Sequence, residues 1–363
     1  MKRWQRDEGQ EAMVKVMQIS RFDENNDVIK AIMSTKFQHY FIQIPEPLYN
    51  KHPWRYIGIK LKALKMLIRI KPNVLIIHNY QGLPYGLLLL LLSKLLKIKT
   101  IMQFETDDTM FPRKDLPLKQ YLIKLFRMPF IILTAKLADR LQVFTQWEVE
   151  ILSEKCRVNE SKIRTIPYGT DFEIGTTKKE NFILSVARWF ERKNLHTILR
   201  VFKEVSELKD VLLLICGRFE SENYRQYIMK LVDELNLNNK VKFLGFVPDE
   251  ELKMLYRKAK LFYFPSKMET FGRVYVEAMA SGTPIVAMKN SAVQYVVKDG
   301  VTGFLRNDEE GQKEAILRLL TDEKLYKEMQ ENCLKEAEKY RWENVIRRWE
   351  RLIKELVEGK DVC

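Results

Sequence analysis

The sequence predicts an α/β protein made of two doubly wound parallel sheets. Short apolar runs alternate with helix-length segments through both halves of the chain, each pair joined by a short connection. A turn-rich stretch at 167–180, PYGTDFEIGTTKKE, separates the halves. At 363 residues, each half has ample material for a core of its own. Repeated strand–helix units of this kind close as parallel sheets with helices on both faces.

In the first half, a polar extension at 1–12 precedes strand 14–19, and a helix begins near Asn26. Strand 39–44 follows, then a basic amphipathic helix from Trp54 that Pro72 ends. Strand 74–78, a leucine-rich helix and strand 100–104 come next. The leucine run is too short to span a bilayer before Lys94 interrupts it. Between about 116 and 136, Lys119, Lys124, Arg127 and Lys136 flank an apolar face. That pattern suits binding at a membrane interface, and equally a helix packed on a core. Strand 140–144, helix 146–155 and strand 162–166 complete the half. The second half alternates strands at 182–186, 211–216, 241–244, 261–264 and 285–287 with helices at 195–206, 222–235, 249–257 and 271–281. A helix near 292–297, a segment at 303–305 and a last helix at about 342–357 follow.

Bulk properties narrow the function. The four cysteines are dispersed with no metal spacing, which fits a reducing compartment, and Cys216 in VLLLICG reads as core. The four histidines do not cluster. The N-terminus lacks the apolar segment of a signal peptide, so a cytoplasmic location is expected. The net charge of +14 is lopsided: residues 1–172 carry +11 and the remainder +3. An anionic partner of the first half is implied, a membrane surface, a phosphorylated lipid or nucleic acid, against solvated charge with no partner. Nucleic acid is disfavoured, since no helix-turn-helix, zinc pattern or aromatic RNA-binding motif is present.

The chemistry gathers around residues 262–289, FYFPSKMETFGRVYVEAMASGTPIVAMK. Glu277 is out of place among Val274, Tyr275, Val276, Ala278 and Met279, because a carboxylate there is costly unless paired. Glu269 stands eight residues earlier, about 12 Å of helical rise away. That span is comparable to the distance from sugar to ribose in an extended nucleotide-sugar. Between them the N–H groups of Phe271, Gly272 and Arg273 at a helix start suit a diphosphate. The same spacing also fits an ordinary Arg273–Glu277 ion pair, with Glu269 as a helix-start acid. Ligands of doubly wound sheets bind beyond the carboxyl ends of the strands. Those ends carry Arg188 and Lys193 in ARWFERKN, Gly217 with its permissive backbone, and Phe246 and Val247 in GFVPDEE as a seat for a base. Cations beside helix amides suit a leaving diphosphate.

These motifs together resemble the retaining glycosyltransferases of family 4, whose fold is GT-B. The resemblance is closest over 140–350. It rests on Glu269 and Glu277 with seven residues between them, Arg188 and Lys193 with four between, IPYGTD, GFVPDEEL, VKDGVTGFL and YRWENV. It implies two Rossmann-like domains facing an interdomain cleft, an acceptor-side domain at 1–172 and a nucleotide-sugar domain at 173–341. The last helix, within 342–363, would cross back and complete the first domain. Glu277 would bind the donor ribose and Glu269 would face the transferred sugar. Arg188 and Lys193 would hold the diphosphate with the amides of Phe271 and Gly272. No metal or other cofactor is implied.

The chain departs from the pattern in places. No glycine-rich loop follows the first strand, and Arg273 replaces an aliphatic residue after Phe-Gly. Tyr295 stands where a Glu is common. Glu105 stands where many members carry a His; Glu105 or Asp107 would be the first-domain helper to the chemistry, and His78 resembles a second such His.

The expected function is metal-independent, retaining hexosyl transfer from a UDP-, GDP- or ADP-linked sugar. The acceptor would be a lipid-linked sugar, a polysaccharide or a small molecule, in cell-envelope or polysaccharide biosynthesis. The enzyme would be cytoplasmic, in part peripheral on the membrane. Its rivals are a nucleotide-sugar 2-epimerase or hydrolase on a similar scaffold, and a basic nucleic-acid-binding protein.

Overall fold

The computed structural model describes residues 14–20, 26–43, 53–78, 84–105, 110–112 and 117–359, with the backbone alone at 53–57. The chain divides into two compact units, Met1–Gly169 with Trp342–Cys363, and Thr170–Arg341.

The first unit runs β1 (Lys15–Ser20), α1 (Asp27–Met33), β2 (Gln38–Gln43), α2 (Pro53–Ile70), β3 (Val74–His78), α3 (Pro84–Leu95), β4 (Lys99–Gln103), α4 (Leu118–Leu137), β5 (Arg140–Val143), α5 (Gln146–Cys156) and β6 (Ile163–Thr165). Its sheet has the order β2-β1-β3-β4-β5-β6, parallel throughout. The central strands read as continuous apolar runs because helices cover both faces. VLIIH in β3 is buried from end to end. α5 begins where the buried Glu148 carboxylate accepts from the backbone N–H of Phe144 (2.7 Å) and of Thr145 (3.0 Å). It satisfies donors that a helix start leaves open.

The second unit runs β7 (Glu180–Val186), α6 (Leu195–Leu208), β8 (Leu212–Cys216), α7 (Glu222–Glu234), β9 (Val241–Gly245), α8 (Asp249–Lys258), β10 (Ala259–Phe264), α9 (Arg273–Ala280), β11 (Ile285–Ala287), α10 (Val293–Val296), β12 (Gly303–Leu305), α11 (Glu309–Thr321) and α12 (Glu323–Ala337). Its parallel sheet has the order β12-β11-β10-β7-β8-β9. Two helices, α11 and α12, occupy a stretch that the sequence reading leaves unassigned. Both carry readable caps: Asp308 accepts from the Gly311 N–H and Asp322 from the Leu325 N–H.

The chain then returns to the first unit as α13 (Trp342–Glu358). Val345, Trp349, Leu352, Ile353 and Leu356 fall on one face and are all buried. Gly169 makes room for this helix, since a Cβ there would lie 2.2 Å from the Trp342 indole. Arg164 pairs with Glu355 at 3.3 Å, and Glu350 accepts from the Lys36 N–H at 3.3 Å. Trp349→Ala empties a fully buried site, and a loss of about 3–5 kcal/mol is expected in urea unfolding of the first unit. A loss under about 1 kcal/mol would show that α13 adds little to that core.

Candidate functional site

Parallel pairing of β7 with β10, Ile183 opposite Leu261 and Leu184 opposite Phe262, sends out two loops side by side. The loop after β7 ends in a tight turn, Glu191–Lys193, and a left-handed Asn194 that opens α6. It is stitched to the loop after β10. The Asn194 amide donates to the Pro265 carbonyl at 3.1 Å, and the Lys267 N–H donates to the Arg192 carbonyl at 3.0 Å. A third loop, after β11, joins them. The Ser291 hydroxyl bonds both the N–H and the carbonyl of Glu269, and Asn290 donates to the Ser266 carbonyl at 2.6 Å.

Within this frame the Lys193 ammonium meets the Glu269 carboxylate at 2.6 Å, with side chains only 15% and 13% exposed. The ammonium also stands 5.6 Å from the ring centroids of Phe190 and of Phe264. Two residues predicted for different tasks, diphosphate and sugar, are thus brought into one ion pair. Arg188 goes elsewhere: its side chain is 80% exposed and pairs with Glu220 at 2.5 Å. The two cations expected to converge are each held by a different carboxylate.

Gly217 has φ +113, and a Cβ there would lie 1.7 Å from the Ala187 carbonyl oxygen. The close approach that this glycine permits is therefore by the chain's own backbone. Its N–H also donates to the Gly245 carbonyl at 2.6 Å, tying the ends of β7, β8 and β9 together. Phe246 is 63% exposed with the Arg218 guanidinium 4.8 Å from its ring centroid, while Val247 is buried. Arg218 was missed by sequence reasoning, although a cation directly after a strand-end glycine was a signal.

The helix of the opening motif starts later than expected. Gly272, at φ +83, is the N-cap, so the first helical residue is Arg273 and Phe271 lies buried before the helix. A Cβ at Gly272 would meet the Tyr275 ring at 2.5 Å. Since only part of the Glu269–Glu277 interval is helical, a straight helical rise does not describe their separation. Glu277 itself keeps some exposed surface amid dense surroundings. Burial pushes its carboxyl above the ordinary value of 4.5, while the Arg273 charge and the Tyr256 hydroxyl pull it down. Asp249 and Asp171 add to the upward push. Tyr256, buried and unforeseen, makes no well-formed hydrogen bond through that hydroxyl.

In the first unit, His78 is enclosed. Its Nδ1 lies 2.6 Å from the Gln103 Oε1 and its Nε2 3.1 Å from the Gln18 Oε1, and burial lowers its pKa to about 4. Uncharged, the ring carries one N–H and donates to only one of these two oxygens, and the amide nitrogens of both glutamines are buried without a hydrogen-bond partner. Glu105 follows β4 and is half-buried. Asp107 lies outside the described residues. Among the described residues, no three His, Cys, Asp or Glu side chains gather as a metal site, and no helix is long and apolar enough to cross a membrane.

Comparison with known proteins identifies the family. The model for glycosyl transferases group 1 matches residues 170–336, and that for Glycosyltransferase Family 4 matches residues 18–174. An uncharacterized glycosyltransferase of Methanocaldococcus jannaschii is 33% identical over 177 residues, 48% of this chain and 45% of its own length. The O-antigen chain mannosyltransferase of Salmonella typhimurium is 28% identical over 257 residues, 70% of this chain and 67% of its own. The chain spans about half the length of several curated relatives it matches. Among solved structures, Anabaena HepE in complex with UDP superimposes with TM-score 0.72 at 15% identity, covering 96% of this chain and all of that one.

The raised pKa of Glu277 has a measurable consequence. Its folded-state carboxyl holds the proton more tightly than the unfolded one does, so ionising it costs stability. The penalty is absent below the unfolded value and complete above the raised folded one. Glu277→Gln should therefore stabilise the unliganded protein at pH 7, with the gain shrinking as pH falls through the raised folded value and gone below about 4.5. A thermal-melt series against pH reads both; equal melting of the two proteins at pH 7 would contradict the burial penalty.

Proposed function

Because the chain belongs to the group 1 glycosyl transferases of family 4, with the two-domain GT-B fold, we propose that it moves a hexosyl group from a nucleotide-sugar to an acceptor hydroxyl, with retention at the anomeric carbon and without a metal ion. The observation that carries this reading is Glu277, a carboxylate with a burial penalty and only partial compensation, on the helix that follows the loop whose Glu269 pairs with Lys193. A ribose diol donating to Glu277 supplies the hydrogen bonds that the fold alone does not. Anabaena HepE has been solved with UDP and with UDP-glucose, which favours a nucleoside-diphosphate sugar as donor here.

In the proposed reaction the diphosphate lies along the loops after β7 and β10, met by Lys193, Arg188 and the backbone N–H groups at the start of α9. Phe246 and Val247 seat the base. The bond from the anomeric carbon to the diphosphate oxygen breaks while the acceptor oxygen attacks from the same face. The acceptor proton passes to the departing phosphate oxygen. Charge growing on that oxygen is stabilised by Lys193, already held by Glu269, and by Arg188 turning in from the rim, which is the largest contribution such a site makes to rate. Glu269 faces the transferred sugar. On the acceptor side, Glu105 and Asp107 are the proposed helpers. An acceptor of the cell envelope, sugar or lipid-linked, fits the Salmonella relative's role on O-antigen chains.

A thermal-shift screen across UDP-, GDP- and ADP-sugars tests the donor, since a bound donor raises the melting temperature by mass action. Glu277→Ala should then weaken nucleotide binding by about 1–3 kcal/mol in calorimetry. Replacing Arg188 and Lys193 together by Ala should cut turnover roughly a hundredfold. Unaltered nucleotide affinity in the first variant, or full turnover in the second, would refute the respective assignment.

A further inference from the structure

Helix α4 is apolar on the wrong side. Its inner face, Ile131, Thr134 and Ala135, packs on the core as a surface helix should. Its outer stripe should then be polar. Instead Leu118, Leu122, Leu125, Phe126 and Leu133 follow one another at helical spacing on the solvent side, with Leu118 73% and Phe126 69% exposed. The neighbouring α3, which packs against α4, repeats the pattern with Leu88, Leu91 and Leu95, the last 79% exposed. A patch of this kind marks an interaction surface.

Charge identifies what it meets. Helices α2, α3 and α4 together hold 50 residues with ten Lys or Arg and no Asp or Glu. On α4 itself Lys119 is exposed beside Leu118 and Leu122, while Lys124 and Arg127 are half-buried toward the side of Ile131 and Thr134. Exposed leucines on helices that carry cations and no acids suit a face lying on a bilayer.

A pocket of about 520 Å³ opens at the C-terminal ends of the same two helices. Lys94, Lys99, Lys136, Arg140 and Lys162 line it, with two carboxylates among them, Asp139 and Glu355, the latter paired with Arg164. Asp139 is already taken by Lys94 at 2.6 Å and by Thr100. Lys94 and Lys136 suit helix C-termini on their own account, and Lys162 donates to the Lys136 carbonyl at 2.7 Å, but Lys99 and Arg140 come from strand starts and have no such reason to gather. Burial lowers the Lys162 pKa, and repulsion from Lys94 and Arg140 adds to it. An anion relieves that crowding. The pocket lies at the amino ends of β4 and β5, the edge opposite to where a doubly wound sheet takes its substrate.

We propose that α3, α4 and this pocket form a docking face for an anionic phospholipid bilayer, the leucine stripes lying in the interface and lipid phosphate entering the pocket. The proposal does not depend on the donor site, and nucleotide binding reports separately on that.

Co-sedimentation of the full chain with vesicles tests it. Vesicles of phosphatidylcholine with about one-quarter phosphatidylglycerol should retain the protein at least tenfold better than pure phosphatidylcholine near 0.1 M salt, and less so near 0.5 M. Leu122→Ser with Phe126→Ser, both exposed, should lower retention at least tenfold at either salt. Lys99→Glu with Lys136→Glu should abolish the preference for the anionic vesicles. Both variants should keep the wild-type nucleotide-induced melting shift, showing that they fold. Equal retention on both vesicles, or wild-type retention by either variant, overturns the proposal. Binding of inorganic phosphate without vesicle retention would make the pocket a site for free phosphate and also overturn it. A concentration-dependent dimer in light scattering, lost in Leu122→Ser/Phe126→Ser and with no vesicle retention, would give the face to a second copy and do the same.

Discussion

The second unit depends on the adjacency of β7 and β10, strands far apart in sequence yet paired in parallel. The Ser185 hydroxyl donates to the Tyr263 carbonyl and fixes the pair from within. Parallel pairing puts both carboxyl ends on one edge, and the loops that leave there have no choice but to meet. Lys193 and Glu269, 76 residues apart, become ion-pair partners for that reason. Most of that pair is shielded from water, so its geometry is worth more than that of the many exposed pairs elsewhere on the molecule.

A site assembled in this way is rigid at its base. Asn194, Ser291 and Asn290 join three loops by hydrogen bonds to backbone, and Gly217 lets Ala187 and Gly245 close on the end of β8. Fixed donors and cations lose little on reorganising when charge develops near them. What remains adjustable is at the rim: Arg188 on Glu220, and Phe246 under Arg218.

Much of this was legible in the sequence. Alternating apolar runs and turn residues located the strands, since fully buried parallel strands read as continuous apolar segments. Glu277 drew notice because its neighbours want burial, and burial is what raises its pKa. Other features lay beyond local pattern. The Lys193–Glu269 pair follows from strand order, which no spacing encodes. Gly217 looked like room for a ligand, but the space is filled by Ala187. α11 and α12 were passed over because Gln312 and Tyr326 stand among the buried positions and blur the apolar period, although their aspartate caps were in plain view. For α4 the composition allowed two roles, and only packing shows which stripe faces out.

The acid-free helices have a consequence that precedes any contact. Ten cations on three adjoining helices, unopposed by a carboxylate on the same helices, give the first unit a directional field rather than a diffuse one. Near a polyanion such a body turns before it touches, and the turning needs no collision to select the right side. The chain therefore arrives already aimed, with a search over orientations replaced by a torque.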